Sequence, residues 1–421
     1  MQPQTEETAE PIFLEPAENK NNGEPAIKIN PEDIYEAEEE KKTPLLLLPE
    51  DDALSENTAG SDTGIATIVF AGDINFDDGY SNMNTLRANG NTMAGVLSDD
   101  LLSTLQAADI FMVNNEFPYS NRGTPLAGKT FTFRAKPERV ALLKEMGADI
   151  VSLANNHAYD HGEEALLDTF DILSENGISY VGAGHNLAEA KSPVYKECNG
   201  IKLAFVSATQ IERTQTPDTR EATASSPGVL RTLDPSSFIE TIKQADENSD
   251  FTIVYVHWGS ENTYEVDASQ RELASKYQAA GADLIVGDHS HCLQGFDYID
   301  EVPVIYSLGN FWFSSKNIDT GILKVTISRE GLDHLQFIPC LQHDCRTDMY
   351  EKGDGEYSRI LGVMSYLSMD ASIDEDGYVS KGSGHGVAPV EPKALSKPSY
   401  SMTEEEKAAA LLQQTAAAES E

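Results

Sequence analysis

The sequence predicts an α/β fold, in which strands and helices alternate and a ligand site lies at one edge of the sheet. Short, β-branched apolar runs repeatedly lead into polar loops, and several of these loops are followed by an amphipathic helix. This order is typical of parallel strands, which are buried on both faces and present ligands at their carboxyl ends. No internal repeat of fixed period is present.

The composition limits the classes of partner. The chain has 421 residues, 40% of them hydrophobic, which is enough for a sizeable core. Its formal net charge of -40 argues against nucleic acid or an anionic membrane surface, because phosphate groups require Lys and Arg. The four cysteines show no zinc-ribbon or CxxC spacing. Spacing alone leaves open whether Cys340 and Cys345 form a disulfide.

Composition also divides the chain into three parts. Residues 1–63 are acidic and poor in aromatics, which predicts a disordered linker. The functional alternative, a spacer from an upstream membrane anchor, is implied only by the family resemblance given below. Residues 64–370 form one predicted domain. Residues 371–421 are predicted to be a low-complexity tail, with a short helix as one option at Thr403–Ala418. No signal peptide or transmembrane-length apolar run is visible, which fits a cytosolic chain or an exported chain without its leader.

The first three predicted strands each end in side chains that can ligate a metal. These strands are Ile65–Phe70, Asp109–Asn114 and Asp149–Leu153, and they lead to Asp73, Glu116, Asn156 and His157. A carboxylate just past a buried strand is typical of a metal ligand, although Asp73 could instead close an Asx turn. An amide oxygen can also ligate, and an adjacent imidazole can donate a proton or stabilise an anion.

The second half of the chain repeats this pattern with imidazoles. Strand Phe251–Val256 ends at His257, and strand Asp283–Val286 opens into His289 and His291. Two histidines at i and i+2 of an extended loop can face one point, and neutral imidazole is the commonest protein ligand for zinc-like metals. The alternative is that both are solvated loop residues. A strand at Val302–Ser307 is predicted to follow, and strands at Thr320–Ser328 and Leu335–Pro339 are predicted to close the sheet.

Helices and one hairpin are predicted between these strands. The helices are Asp99–Ala107, Pro137–Met146, Glu163–Asn176, Phe238–Ala245 and Ala268–Ala280, with an amphipathic stretch at Glu356–Met369. The hairpin joins Val194–Cys198 to Lys202–Ser207 through Asn199-Gly200, and Thr209–Pro235 is a polar excursion near the site.

Five strand ends in succession therefore predict a dinuclear metal centre. Carboxylate and amide oxygens with imidazole nitrogens suit Mn, Fe or Zn better than Ca or a thiolate-seeking metal. Two metals about 3.5–4 Å apart could generate a hydroxide and hold the oxygens of an in-line displacement. The other histidines are interpreted as solvated or structural: His161, His185, His334, His343 and His385.

Six ordered motifs between Ile65 and Ser314 carry a family resemblance. They are Gly72-Asp73, Asn114-x-Glu116, Asn155-Asn156-His157 with Asp160-x-Gly162, His257-Trp258-Gly259-x-Glu261, Gly287-x-His289-x-His291-x-x-Gln294 and Ser307-Leu308-Gly309-Asn310-Phe311. With them the chain resembles the CapA-type capsule-synthesis proteins, which are associated with bacterial poly-γ-glutamate synthesis and share the calcineurin-like metallophosphoesterase fold.

The resemblance implies a four-layer α/β/β/α sandwich of the metallophosphoesterase type, flanked by disordered acidic tails. It implies one or two divalent ions (Mn, Fe or Zn) on Asp73, Glu116, Asn156, His257, His289 and His291, with Glu116 as a candidate bridge. It makes His157 the acid or anion-stabilising group, oriented by Asp160. Around these residues it places Asn75, Asn114, Glu261, Gln294 and Asn310.

Two positions depart from the wider phosphoesterase pattern. The usual Asp-x-His of the first strand reads Asp73-Ile74-Asn75, so one imidazole ligand is missing, and Glu116 replaces the usual bridging Asp. Both departures agree with the CapA-type subgroup. They argue against full two-metal occupancy and against ordinary phosphoesterase activity.

The preferred function is a metal-dependent hydrolase or transferase of the bacterial envelope, linked to synthesis, export or anchoring of a poly-γ-glutamate capsule. Its expected substrates are an anionic polymer, a phosphoester or a γ-glutamyl compound, and capsule-synthesis membrane proteins are potential partners. The expected location is extracytoplasmic, tethered through an N-terminal anchor absent from this chain. One alternative is a non-catalytic binding or assembly module with a degenerate metal site. A weaker one is a cytosolic phosphoesterase acting on nucleotides.

Overall fold

The computed structural model describes residues 63–211, 219–314 and 316–382. Its strands are β1 (Ile65–Ile74), β2 (Ile110–Asn115), β3 (Ile150–Ser152), β4 (Ser179–Val181), β5 (Ala183–Gly184), β6 (Val194–Cys198), β7 (Ile201–Thr209), β8 (Gly228–Val229), β9 (Phe251–His257), β10 (Leu284–Asp288), β11 (Leu293–Ile299), β12 (Val302–Leu308), β13 (Asn310–Trp312), β14 (Ile318–Ser328), β15 (Gly331–His343), β16 (Arg346–Met349), β17 (Ala371–Ile373) and β18 (Val379–Lys381). Its α-helices are α1 (Ser81–Ala88), α2 (Asp99–Gln106), α3 (Val140–Met146), α4 (Glu163–Glu175), α5 (Leu187–Ala190), α6 (Ser236–Asp246), α7 (Ala268–Gln278) and α8 (Gly355–Leu367).

Two β-sheets pack face to face. The first has the strand order β16-β15-β14-β1-β2-β3-β4, and β13 also pairs with β1. The second has the order β11-β12-β10-β9-β7-β6. Within each sheet the central strands are parallel: β1, β2, β3 and β4 in the first, and β7, β9, β10 and β12 in the second.

Side-chain alternation explains why both faces of each sheet are buried. In β1, Ile68 and Phe70 face the second sheet, whereas Val69 and Ala71 face the helices α1–α4. In β9, Ile253 and Tyr255 likewise face the first sheet. Helices α5, α6 and α7 cover the outer face of the second sheet. The predicted four-layer α/β/β/α sandwich is therefore confirmed.

The two sheets are joined close to the carboxyl ends of their parallel strands. The hydroxyl of Tyr255 in β9 donates to the main-chain oxygen of Ala71 in β1 at 2.9 Å. Near the end of β1, the Asp73 amide donates to the oxygen of Gly309, which lies between β12 and β13, at 2.9 Å. A Cβ on Gly72 would lie 1.8 Å from that oxygen, so this approach requires glycine.

Most predicted elements are present, with ends shifted by a few residues. The sequence analysis missed α1 and β11, and it missed the short strands β13 and β16. Helix α1 carries only three buried side chains, one of them Asn82, so its apolar pattern is weak. Strand β11 contains Gly295, where a Cβ would lie 2.0 Å from the main-chain oxygen of Leu367 at the end of α8. Tertiary packing, rather than local pattern, defines such elements.

The hairpin β17–β18 lies beyond residue 370, where the sequence analysis ended the domain. Ala371 and Val379 of this hairpin pack in the core between the sheets, together with Ile360 and Met364 of α8. A few apolar residues are enough to attach it, which composition alone does not show. The predicted N-terminal linker up to residue 62 and the optional helix at Thr403–Ala418 lie outside the described residues.

All four cysteines are among the described residues, and each is a free thiol. Cys340 and Cys345 are therefore not joined here. Within the described ranges, no helix is long and apolar enough to cross a membrane.

We expect Gly72→Ala to lower the free energy of unfolding by about 1–3 kcal/mol, because the added methyl group overpacks the contact with Gly309. The matched control is Gly362→Ala in the exposed face of α8, where an added Cβ meets nothing within 4 Å. That change should raise stability by about 0.5–1 kcal/mol. Denaturant unfolding measures both, and a Gly72→Ala protein as stable as the wild type would contradict the packing.

Candidate metal centre

Acidic and imidazole side chains from both sheets converge at the carboxyl edge of the parallel strands. Three groups of donor atoms each lie within 4.8 Å of one another. The groups are Glu116 with His257 and His289, Asp73 with Glu116 and His291, and Asp73 with His257 and Asp288. All of these side chains are buried. The structure therefore brings together residues that are far apart in sequence.

Glu116 is shared by two of these groups and follows the last residue of β2. It is fully buried, and neither carboxylate oxygen accepts a hydrogen bond from the residues that the structure describes. The nearest imidazole nitrogens are Nε2 of His257, at 3.5 Å from Oε1, and Nε2 of His157, at 3.9 Å. Burial and the charge of Asp73 raise the pKa of Glu116. A buried, ionised carboxylate without hydrogen bonds lowers the stability of the fold unless a cation neutralises its charge.

The first group is built around Asp73, near the end of β1. Its Oδ1 accepts a hydrogen bond from Nδ2 of Asn114 at 2.8 Å, and its Oδ2 lies 3.1 Å from Nδ1 of His291. The same His291 nitrogen lies 2.8 Å from Oδ1 of Asn310. Burial opposes ionisation of Asp73, but the neighbouring His291 outweighs it and lowers the pKa of Asp73. Burial also disfavours charged His291, but Glu116 and Asp73 raise its pKa to about 9.

The second group is built around His257, the last residue of β9. Its Nε2 lies 2.8 Å from Oδ1 of Asn156 and 2.9 Å from Nδ1 of His289. Burial disfavours charged His257, but Asp288 and Glu116 raise its pKa to about 10. Burial and the charge of His257 hold the pKa of His289 well below its usual range. The raised pKa values of His257 and His291 show that positive charge is favoured beside the buried carboxylates, and a divalent cation would supply such charge.

Asp288 is a site residue that the sequence analysis missed. It ends β10, and its Oδ1 accepts a hydrogen bond from Nδ1 of His257 at 2.7 Å. This bond turns Nε2 of His257 toward Glu116 and Asn156, as carboxylates commonly do for metal-binding histidines. Burial raises the pKa of Asp288 to about 7. The sequence feature that could have identified Asp288 is an acidic residue at the end of a strand, directly before His289.

The loop after β10 holds its histidines in an uncommon backbone conformation. His289 has φ of 91° and His291 has φ of 56°, in the left-handed region that favours glycine. Each such residue costs about 1–3 kcal/mol and tends to occur at functional sites. The Asn262 amide donates to the Ser290 oxygen at 2.8 Å and holds the loop in place.

His157 and Asp160 form a buried pair beside the metal-ligand candidates. Nδ1 of His157 donates to Oδ2 of Asp160 at 2.6 Å, so its Nε2 faces Glu116. The amide of His157 donates to Oδ1 of Asn155 at 3.0 Å, and Asn155 in turn donates to Oδ1 of Asn114 at 3.0 Å. Burial and the charge of Lys129 hold the pKa of His157 well below its usual range.

The remaining predicted residues have different surroundings. Asn114 and Asn310 contact ligand candidates directly, as described above. Gln294 accepts from Gln270 at 2.9 Å and donates to the Glu265 oxygen at 2.8 Å, so it holds the neighbouring loop. Asn75 accepts the Asp77 amide at 2.8 Å and thereby caps a turn.

A cleft of about 510 Å³ opens over Asn156, His157 and His289. Its other walls include Lys129, Phe131, Gln210, Leu233, Ser260 and Glu261. A substrate in this cleft can therefore reach both the buried pair and the imidazole of His289. A cleft beside convergent polar side chains is typical of ligand-binding sites.

Residues 67–315 match the family model described as bacterial capsule synthesis protein PGA_cap. The PGA biosynthesis protein CapA of Bacillus subtilis (strain 168) is 30% identical over 277 residues, which cover 65% of this chain and 72% of that protein. The capsule biosynthesis protein CapA of Bacillus anthracis is 34% identical over 220 residues, 51% of this chain and 52% of that protein. This chain therefore spans about half the length of the second relative.

Two solved structures are similar at lower levels. A hypothetical protein from Thermus thermophilus matches with a TM-score of 0.41 and 16% identity, covering 65% of this chain and 99% of that one. A 5'-nucleotidase from Candida albicans matches with a TM-score of 0.33 and 11% identity, covering 67% of this chain and 52% of that one.

Glu116→Gln tests whether this centre is built for a cation. Because burial raises the pKa of Glu116, the ionised group destabilises the metal-free fold above its unfolded pKa. Without metal, Glu116→Gln should therefore have a larger free energy of unfolding than the wild type at neutral pH. This difference should vanish in acid. A metal ion at 100 times its Kd should stabilise the wild type by about 2.7 kcal/mol, and the variant by much less. Thermal unfolding with and without chelator measures both effects.

The matched control is Glu175→Gln at the exposed end of α4, which should leave the metal response unchanged. An equal metal-induced gain in Glu116→Gln and in the wild type would contradict the role of Glu116.

Proposed function

The chain belongs to the bacterial capsule synthesis protein family, and from this premise we propose that it is a metal-dependent hydrolase or transferase of the bacterial envelope. Its proposed substrate is an anionic polymer of the poly-γ-glutamate kind, in keeping with the names of its relatives. Membrane proteins of capsule synthesis are its proposed partners, and an N-terminal anchor is its proposed attachment. The fully buried carboxylate of Glu116, with no hydrogen bond from the described residues, is the observation that carries this proposal.

The donor set fits one or two divalent ions. One site would use Asp73, Glu116 and His291, and the other Glu116, His257 and His289 with the amide oxygen of Asn156. Glu116 would then bridge the two sites, because it belongs to both groups. Carboxylate oxygens with imidazole nitrogens favour Mn, Fe or Zn, and no thiolate lies in the three groups. When bound, such an ion supplies Lewis acidity and lowers the pKa of a water molecule.

His157 is the proposed acid of the reaction. Asp160 holds its Nδ1, which leaves Nε2 at the floor of the cleft, 3.9 Å from Glu116. In hydrolysis of a γ-glutamyl amide, water adds its hydroxyl group to the carbonyl carbon as the carbon–nitrogen bond breaks. Nε2 of His157 carries no proton while Nδ1–H is bonded to Asp160, so it accepts the proton that the water loses and passes it to the leaving nitrogen, which departs as an amine. In a transferase, an acceptor amine or hydroxyl takes the place of the water.

The alternative function is a non-catalytic assembly module with a degenerate site. It is favoured by Asn75, which occupies the position two residues after Asp73 and caps the turn to Asp77 through its side-chain oxygen. Bound metal and turnover favour the enzyme, whereas capsule formation by cells that carry only a His157→Ala protein favours the module.

We expect His157→Ala to lower turnover on poly-γ-glutamate about 10²–10⁴-fold, because the leaving group loses its proton donor. Its metal content should equal that of the wild type, because His157 belongs to none of the three donor groups. Release of amines from the polymer measures turnover. Elemental analysis of protein prepared without chelators measures metal content, with one or two equivalents expected.

The control is His185→Ala, an exposed histidine paired with Glu189, which should retain full activity. Wild-type protein without bound metal, or without metal-stimulated turnover on either γ-glutamyl amides or phosphoesters, would refute the proposed activity. Full turnover by His157→Ala would refute the role of His157 alone.

A further inference from the structure

A loop that leaves β2 and returns before α3 covers the His157–Asp160 pair. Its ends are paired, because the Ser120 amide donates to the Ala135 oxygen at 2.9 Å and the Ala135 amide donates to the Pro118 oxygen at 3.0 Å. Residues 121–134 between these ends are all described and contain no helix or strand. We call residues 120–135 the covering loop. Because residues 121–134 form no helix or strand, the position of the covering loop depends on the contacts that these residues make.

Asp160 accepts several contacts from the body of the covering loop, which is also attached through the Arg134 amide to Asp77 and through Arg122 to Asp168. The Leu126 amide donates to the main-chain oxygen of Asp160 at 2.8 Å, and the Phe133 amide donates to its Oδ2 at 2.7 Å. Nζ of Lys129 lies 2.6 Å from its Oδ1. The same carboxylate holds Nδ1 of His157 at 2.6 Å. One buried side chain therefore joins the covering loop to the proposed acid.

Lys129 also reaches the proposed metal ligands. Its ammonium group donates to the main-chain oxygen of Asn156, whose side-chain oxygen lies 2.8 Å from Nε2 of His257. Only 8% of the Lys129 side chain is exposed, although it lines the cleft. A buried ammonium beside a buried carboxylate is favourable only if both are held in good geometry. Removing it leaves Asp160 without the cation that faces Oδ1.

We propose that Lys129 is a positioning residue that holds Asp160 and the main chain of Asn156 in place, and thereby fixes the ring of His157 with Nε2 toward the cleft. This role rests on the proposed function insofar as His157 acts as the acid. It differs from that of a substrate anchor, because the ammonium group already contacts two protein groups. No sequence pattern indicates this role, since Lys129 lies in a polar stretch between predicted elements.

Steady-state kinetics on the metal-loaded protein separates the two roles. Lys129→Met should lower kcat about 10–100-fold with little change in KM, as is typical when a residue that orients a catalytic group is lost. Lys129→Arg should recover part of kcat, because it keeps the positive charge. The control Lys136→Met removes an exposed lysine just beyond the covering loop, 3.8 Å from Asp78, and should change neither constant. A raised KM with unchanged kcat, or an Arg variant no better than Met, would overturn the proposal.

Two measurements do not depend on turnover. In metal-free protein labelled with ¹⁵N-histidine, the ring of His157, assigned with a His157→Gln variant, should be the Nδ1–H tautomer. Lys129→Met should convert it to a mixture with Nε2–H and should speed amide exchange at Leu126 and Phe133. An unchanged tautomer and unchanged exchange would overturn the positioning role. If the wild type shows no turnover, the proposed function fails, and these two measurements still decide the role of Lys129.

Discussion

The burial of several charged groups in one small volume is the constraint on which the site depends. Asp73, Glu116 and Asp288 are fully buried within reach of three imidazoles. Their mutual repulsion and desolvation would destabilise the fold unless protons or cations balance them. Asn114 and Asn310 contribute neutral hydrogen bonds that fix geometry without adding charge. The stability of the fold therefore depends on how these charges are balanced at this edge of the sandwich.

The two-sheet architecture makes this burial possible. Parallel strands of each sheet end at the same edge, so β1 and β2 bring acids while β9 and β10 bring imidazoles and an acid. The close contact between Gly72 and Gly309 and the hydrogen bond from Tyr255 to Ala71 hold these ends together. A side chain at either glycine contact would move Asp73 relative to His291. The packing of the two sheets thus sets the distances between these side chains.

Two phenylalanine rings pack against imidazoles of the centre. The Phe133 ring lies 4.2 Å from that of His157, and the Phe313 ring lies 4.8 Å from that of His291. The two phenylalanines contact each other edge to face at 5.5 Å. They lower the local polarity, which strengthens every electrostatic interaction in the site. Because Phe133 belongs to the covering loop, the position of that loop affects both His157 and its surroundings.

Local sequence patterns were sufficient to predict the α/β class and most of the strands and helices, because hydrophobic periodicity is a local property. They also identified residues from Asp73 to His291 as one set, because strand ends in a parallel sheet share an edge. The spatial arrangement of that set required the folded chain. Asp288 and Lys129 act through partners 31 residues away in each case. The orientation of the His257 ring and the contacts of Lys129 depend on distances between separate segments, which no local pattern encodes.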